Sequence, residues 1–186
     1  LSTYFWQGHL IRLRAVEPSD WEIFHEWNSD SYAARETYHL PFPRSEEATR
    51  RWTEKEALRW PEDDVFRLVI ETLAGEIVGT INTHSCDLRN GTFAYGLAIG
   101  EEHRRKGYAS EAITLVLRFF FQELRYQKAT VHVYSFNEAS IQLHERLGFQ
   151  LEGRLRRMIY SQGLHFDELI FGITAEEFEK EPAKEK

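Results

Sequence analysis

The chain has one cysteine, Cys86, and one methionine, Met158, in 186 residues. A lone cysteine cannot close an internal disulfide or supply a cysteine-based zinc cluster, and such scarcity suits a reducing compartment. No stretch approaches the roughly 18 consecutive apolar residues of a membrane span, and no basic-then-apolar leader is present, so the expectation is a cytoplasmic protein without a membrane partner. Cations are also short. Lys and Arg total 23 against 30 Asp and Glu, a formal charge of −7 that argues against a nucleic-acid partner, since neutralising phosphates needs excess positive charge. The eight histidines lack a two-ligand helical pair backed by a third ligand, so no metal is expected. Repeats, low-complexity blocks and evident linkers are absent.

Hydrophobic residues make up 42% of the chain and aromatics 14%, enough for a sizeable core. The length suits one domain, read as residues 1–178, with a polar tail over 179–186. Leu10 to Ala15 alternates apolar and basic residues, a short first strand. Glu17-Pro18-Ser19-Asp20 then opens a helix, with Ser19 or Asp20 as its cap. Pro41 and Pro43 interrupt the chain, and Ser45-Glu46-Glu47 restarts it as an amphipathic helix to about Trp60. Strands follow at Val65–Thr72, Glu76–Cys86 and Thr92–Ile99, the last two joined by the Asn90-Gly91 hairpin signal. An apolar helix covers Ala109–Glu123, and a β-branched strand covers Lys128–Tyr134. A short helix opened by Asn137 stops at Gly148, and Gln150–Tyr160 and Leu164–Thr174 read as two closing strands. The class is α/β, a mixed sheet of about seven strands with about four helices.

One joint in this order carries chemistry. Between the Thr92–Ile99 strand and the following helix lie Gly100 to Ser110, with three consecutive cations, Arg104-Arg105-Lys106, and then Gly107. A strand, a basic turn with glycine and a helix N-terminus together make an anion site: the turn amides can point at a ligand and the helix dipole favours negative charge. A solvated basic turn capping a helix is the plain alternative. The Thr92–Ile99, Ala109–Glu123 and Lys128–Tyr134 segments form the one parallel strand–helix–strand unit, and ligands in such sheets bind at the carboxyl ends of the strands. The basic turn lies at one such end and Ser135-Phe136-Asn137 at the other.

Arg104-Arg105-Lys106-Gly107-Tyr108-Ala109 matches the Arg/Gln-x-x-Gly-x-Gly/Ala signature of the GCN5-related N-acetyltransferases (GNAT). Asn137 to Phe149, an Asn-initiated helix closing on Gly148-Phe149, matches that family's second motif. Glu152-Gly153-Arg154-Leu155-Arg156, with Gly163 and Asp167, is similar to the branch containing ribosomal-protein alanine and spermidine acetyltransferases. The resemblance spans Leu10 to about Thr174. It implies a GNAT fold splayed between the fourth and fifth strands, with acetyl-CoA as co-substrate and no metal. It further implies that the backbone of Leu97, Ala98 and Ile99 pairs with pantetheine, and that amides from Arg104, Arg105, Lys106, Gly107, Tyr108 and Ala109 hold the pyrophosphate. Asn137, with Ser140 in the helix it opens, would contact the far wall of the coenzyme site; a plain helix N-cap is the other role open to Asn137. A homodimer is compatible with the resemblance.

The implied reaction is acetyl transfer to a primary amine by direct attack in a ternary complex. The acceptor would be an amine-bearing small molecule, such as a polyamine, or a protein N-terminus. Cys86 then needs no nucleophilic role. Where the family often has a tyrosine to protonate the leaving thiolate, this chain has His144. A tyrosine titrates near ~10 and a histidine near ~6.5, so His144 is mostly neutral at pH 7 with one N–H left to donate. Two roles stand for it: proton or hydrogen-bond donor to the coenzyme sulfur, or mere contact. Tyr134 is a weaker substitute. Glu71, His84, Tyr95 and Glu101 are open as general base. Trp21, Trp27, Tyr32, Tyr38 and Phe42 with Glu26, Asp30 and Glu36 form either an acidic, aromatic wall for a cationic amine or an ordinary helix pair. The missing tyrosine also leaves a non-catalytic coenzyme-A-binding module as the alternative function.

Overall fold

The computed structural model describes residues 4–37 and 40–180, and the backbone alone at Tyr32 and Thr37. The chain groups into two compact units, one drawn from Leu1–His84 with Gly96–Val116, the other from Ser85–Tyr95 with Leu117–Lys186.

In the first unit, β1 (Ile11–Ala15) alternates as its sequence does. Ile11 and Leu13 are wholly buried, while Arg12 and Arg14 turn to buried carboxylates. Arg14 pairs with Asp20 at 2.9 Å and with Glu71 at 2.9 Å, and Arg12 pairs with Glu71 as well. Asp20 also accepts the Glu17 amide at 2.8 Å, fixing the one-turn entry to the first helix. That helix is α1 (Trp21–Trp27), followed by α2 (Ser31–Thr37) and by α3 (Glu46–Ala57), which Ser45 caps through the Ala48 amide. Phe24 of α1 packs with Val16 and Val69, and Trp27 and Trp52 close over them. β2 (Arg67–Thr72) runs antiparallel to β1, and β3 (Ile77–Asp87) antiparallel to β2. Next come β4 (Thr92–Ile99), which belongs to this unit from Gly96 onward, and α4 (Tyr108–Arg118), which belongs to it as far as Val116. Gly79 of β3 passes so close to β4 that an added Cβ would lie 2.3 Å from the Ala98 carbonyl oxygen.

In the second unit, a turn of π-helix, Phe119–Glu123, follows α4. The wider turn delivers Phe120 onto Phe93, ring centroids 3.8 Å apart, with Tyr126 edge-on to both. β5 (Lys128–Tyr134) lies parallel to β4, through the register pairs Thr92–Lys128, Phe93–Ala129 and Ala94–Thr130. The ladder is thus confined to the first residues of each strand, while β5 pairs along its whole length with a later strand, β7. After α5 (Glu138–Arg146) come β6 (Gln150–Ser161), β7 (Leu164–Thr174) and α6 (Ala175–Lys180). β6 and β7 form an antiparallel hairpin, in which Arg156, Arg157 and Met158 stand opposite Asp167 alone.

The strands hydrogen-bond in the order β1-β2-β3-β4-β5-β7-β6, the mixed seven-stranded sheet expected. The four helices expected are α1, α3, α4 and α5, and the described residues add α2, equal in length to α1, and the six-residue α6. The helix read as reaching Trp60 ends at Ala57, leaving Trp60 exposed. The tail read over 179–186 lies outside the described residues from position 181 onward. No described helix is long and apolar enough to cross a membrane.

Candidate active site

The basic turn of the first unit is built by its backbone. After Gly100 donates to the Val78 carbonyl, a single turn of 3-10 helix, Glu101–His103, brings the chain to Arg104. Arg105 then adopts a left-handed φ of 61° and Gly107 one of 87°. Only glycine takes such angles without steric cost, and two within three residues turn successive amides toward one side. α4 starts at once, and its first intrahelical bond runs from the Glu111 amide to the Gly107 carbonyl. By helix geometry the amides of Tyr108, Ala109 and Ser110 have no earlier carbonyl to reach.

Glu111 sits where a carboxylate would ordinarily quench those amides, yet it points elsewhere. Its oxygens accept the amides of His9, Leu10 and Ile11 at 2.6–2.8 Å, clipping the segment before β1 onto α4. The first-turn carboxylate is thus engaged away from the positive end of the helix. Arg105 and Lys106 are exposed. The Arg104 guanidinium is 2.9 Å from Glu36 of α2, and its Nε donates to the Ile99 carbonyl at 3.4 Å. Leu97, Ala98 and Ile99 are half-buried at the end of β4.

The second unit holds the other expected residues. Asn137 Oδ1 accepts the Ser140 amide at 3.0 Å, so Asn137 caps α5. One turn further on, His144 is 4% exposed. Its Nδ1 lies 2.7 Å from the Ser140 carbonyl and 3.3 Å from the Ser140 hydroxyl, and its Nε2 lies 2.9 Å from the Tyr95 hydroxyl. A carbonyl only accepts, so Nδ1 carries the proton and Nε2 accepts from Tyr95. Phe149 packs edge-on to the imidazole and Phe171 stacks beside it. Burial lowers the His144 pKa and the Ser140 carbonyl raises it, with burial prevailing, so the ring is neutral at pH 7. Burial pushes the Tyr95 phenol well above its ordinary value. Each group stays uncharged and satisfies the other.

The remaining candidates are largely occupied by structure. Glu71 is buried; burial would raise its pKa, but hydrogen bonds from Arg14 and Arg12 outweigh that and hold it below the usual carboxylate range. His84 and Glu101 are exposed, and Tyr134 is half-buried against Phe136. Of the acidic wall, Asp30 accepts the Ala33 amide at 3.0 Å, Glu36 pairs with Arg104, and Glu26 is exposed. Arg50 lies over the Trp21 ring, Trp27 belongs to the core around Phe24, and Phe42 is 95% exposed. Tyr38 and the Tyr32 side chain lie outside the described residues. The Tyr95–His144 bond and the Arg104–Glu36 pair, like the bonds Glu111 accepts, went unread in the sequence. Each joins residues far apart in the chain, though His144 at one helical turn from the N-capped start of α5 was a visible cue.

Residues 11–150 match the family described as "Acetyltransferase (GNAT) domain". The SPbeta prophage-derived uncharacterized N-acetyltransferase YokL of Bacillus subtilis (strain 168) is 45% identical over 179 residues, covering 96% of this chain and 98% of the relative. Among solved structures, an acetyltransferase (GNAT family) from Bacillus anthracis superposes with a TM-score of 0.76 at 25% identity, covering 91% of this chain and 98% of that one. Spermidine N-acetyltransferase from Vibrio cholerae, in complex with CoA and spermine, gives a TM-score of 0.78 at 22% identity, covering 90% of this chain and 97% of its own, a likeness of fold.

Proposed function

We propose, from the premise that this chain belongs to the GNAT family of N-acetyltransferases, that it transfers acetyl from acetyl-CoA to a primary amine by direct attack in a ternary complex. GNAT acetyltransferases use acetyl-CoA, and the Vibrio cholerae relative carries CoA in its crystal. The observation that carries the reading is the turn from Arg104 to Ala109, with its paired left-handed residues and the helix end that Glu111 leaves unquenched. Such a turn fits a pyrophosphate through backbone donors, with Arg105 and Lys106 adding charge. The half-buried backbone of Leu97, Ala98 and Ile99 fits an extended amide-bearing arm. Asn137 and Ser140 are proposed for the coenzyme's other wall, alongside the capping bond they share.

Acetyl-CoA supplies the acyl group and a thiolate leaving group. The protein must let the amine lose a proton, stabilise the oxyanion and manage the thiolate. His144 is proposed to meet the thiolate, and its geometry sets the condition. Its Nε2 must exchange the Tyr95 hydroxyl for the sulfur and carry the ring's single proton, which it offers to the thiolate as a hydrogen bond while Nδ1 accepts from the Ser140 hydroxyl; the proton the thiolate finally takes is the one the amine nitrogen sheds on acylation. No side chain is assigned as base, and an amine can reach its neutral form through ordered water.

A thiol-release assay with acetyl-CoA over N-terminal peptides, polyamines and aminoglycosides tests the reading. Release with at least one amine is expected. A flat response to every amine despite tight acetyl-CoA binding would overturn it in favour of a coenzyme-binding module. His144→Phe with unchanged turnover would remove the hydrogen-bond-donor role toward the sulfur and leave the rest standing.

A further inference from the structure

The hairpin of β6 and β7 carries a charged feature that the coenzyme chemistry does not use. Between the register pairs Leu155–Glu168 and Ile159–Phe166, β6 spends three residues where β7 spends one. Arg156, Arg157 and Met158 bulge outward, all exposed, with Arg157 at a left-handed φ of 57°. The bulge is pinned, not loose. Asp167 accepts the Arg157 amide at 2.8 Å through one oxygen and pairs with Arg154 Nε at 2.5 Å through the other. Those two bonds, with the Arg154 and Arg156 charges, hold the Asp167 carboxyl below its ordinary range, so it stays ionised and the clamp holds.

Asp167 also fixes where the bulge lies. Its carbonyl accepts the Ser135 amide at 3.0 Å, and its own amide lies 3.2 Å from the Ser135 hydroxyl. Ser135 is the residue after β5, so the bulge is tied to the carboxyl end of the strand that pairs in parallel with β4. Beside that end Tyr134, Phe136 and Phe166 form an aromatic group, with centroids 5.5 and 4.8 Å apart.

Cations outnumber carboxylates there, Lys128, Arg154, Arg156 and Arg157 against Glu152, Asp167 and Glu168. Glu152 is taken by Lys128 at 2.5 Å, and Glu168 lies 3.2 Å from His132. Asp167 pairs directly with Arg154 and interacts with the Arg156 charge at longer range, and neither Arg156 nor Arg157 forms a close ion pair among the described residues. A polyamine acceptor would meet a cationic excess here, whereas a carboxylate-bearing one would find the exposed guanidinium forks of Arg156 and Arg157.

We infer that the acceptor is an acidic peptide N-terminus, whose free amine is followed by Asp or Glu residues that Arg156 and Arg157 bind. This rests on the acetyltransferase reading and adds the acceptor's class to it. The exposed Leu155, Met158 and Tyr160 along the same strand suit an extended chain better than a compact amine.

The test is a set of peptides sharing a free N-terminal serine and differing only at positions two and three, as Asp-Asp, Asn-Asn or Arg-Arg, with spermine as a further acceptor. Arginine adds charge without a second primary amine. The Asp-Asp peptide should exceed the Asn-Asn peptide in kcat/KM by about three- to tenfold at low salt, the advantage shrinking as salt screens the pairs. Arg156→Glu with Arg157→Glu should abolish or invert the ratio. Equal rates for the three peptides, preference for Arg-Arg or spermine, or a salt-independent ratio unmoved by the double substitution would overturn the inference. Calorimetric binding of the same peptides to the CoA-loaded protein separates the two failures. Absence of thiol release with every amine would sink the acetyltransferase reading, while the order of peptide affinities would still decide the charge preference.

Discussion

The Tyr95 hydroxyl donates to His144 Nε2 across 2.9 Å, and both residues are buried to within 4% exposure. β4 and α5 are thereby joined by one neutral hydrogen bond whose donor and acceptor have no water to fall back on. Removing either partner strands the other.

Tyr95→Phe leaves Nε2 without its donor, and His144→Phe leaves the phenol without its acceptor. Each should lower unfolding free energy by about 1–3 kcal/mol, the cost of an unsatisfied buried polar group. The double substitution should cost less than the sum of the two, because it leaves nothing unpaired. Urea denaturation of the four proteins measures the coupling.

Stability should also depend on pH through the same ring. The folded pKa of His144 lies below its usual 6.5, so the unfolded chain takes up a proton that the folded chain refuses. The contribution is complete above that usual value and is lost as pH falls from it toward the folded pKa. Glu71 adds a second loss at lower pH, present in full above its usual 4.5 and lost as pH falls through its depressed folded value. Thermal unfolding followed from pH 8 down to about pH 2 should show both, the His144 loss first and the Glu71 loss below pH 4.5. His144→Leu should flatten the upper one and spare the lower.

Glu111→Gln removes the charge that three amides share, and Glu111→Ala removes the acceptor outright. Hydrogen bonds to a charged group contribute roughly 1.5–3 kcal/mol. The alanine variant should lose about that much stability, and the amides of His9, Leu10 and Ile11 should lose protection from hydrogen exchange. Unchanged exchange at those amides would show that the clip does not hold the segment.

Gly79→Ala forces a methyl to within 2.3 Å of the Ala98 carbonyl oxygen, which is backbone and cannot swing aside. β3 and β4 must separate, at a cost of about 1–3 kcal/mol. Since Ala98 lies in the stretch proposed for the coenzyme's arm, acetyl-CoA affinity should fall as well, read by isothermal titration. A variant as stable as the parent would contradict the close approach.

What could be read in the chain beforehand divides along physical lines. Strands such as Ile11–Ala15 and Lys128–Tyr134 announce themselves by β-branched, alternating residues, and α4 by its apolar stripe, because period and propensity are local properties. The Arg104–Ala109 turn was legible for the same reason: glycine, cations and a helix start are adjacent. The Tyr95–His144 bond was not, since it spans forty-nine positions and depends on which way β4 presents alternate side chains. The destination of Glu111 was equally hidden. An acidic residue in a first helical turn reads as dipole compensation, and only tertiary structure reveals three backbone amides waiting for it.

β6 is one of the sheet's two edge strands, β1 being the other, and an edge strand offers unpaired backbone donors and acceptors to any passing chain. Here the Asp167-pinned bulge divides that ribbon into Gln150–Leu155 and Ile159–Ser161, each too short to seed a continuous intermolecular sheet. Arg154, Arg156 and Arg157 set like charges against one another in any side-by-side approach of two copies. The carboxylate that shapes this hairpin thus also protects the protein's solubility, and its loss should surface first as aggregation on concentration.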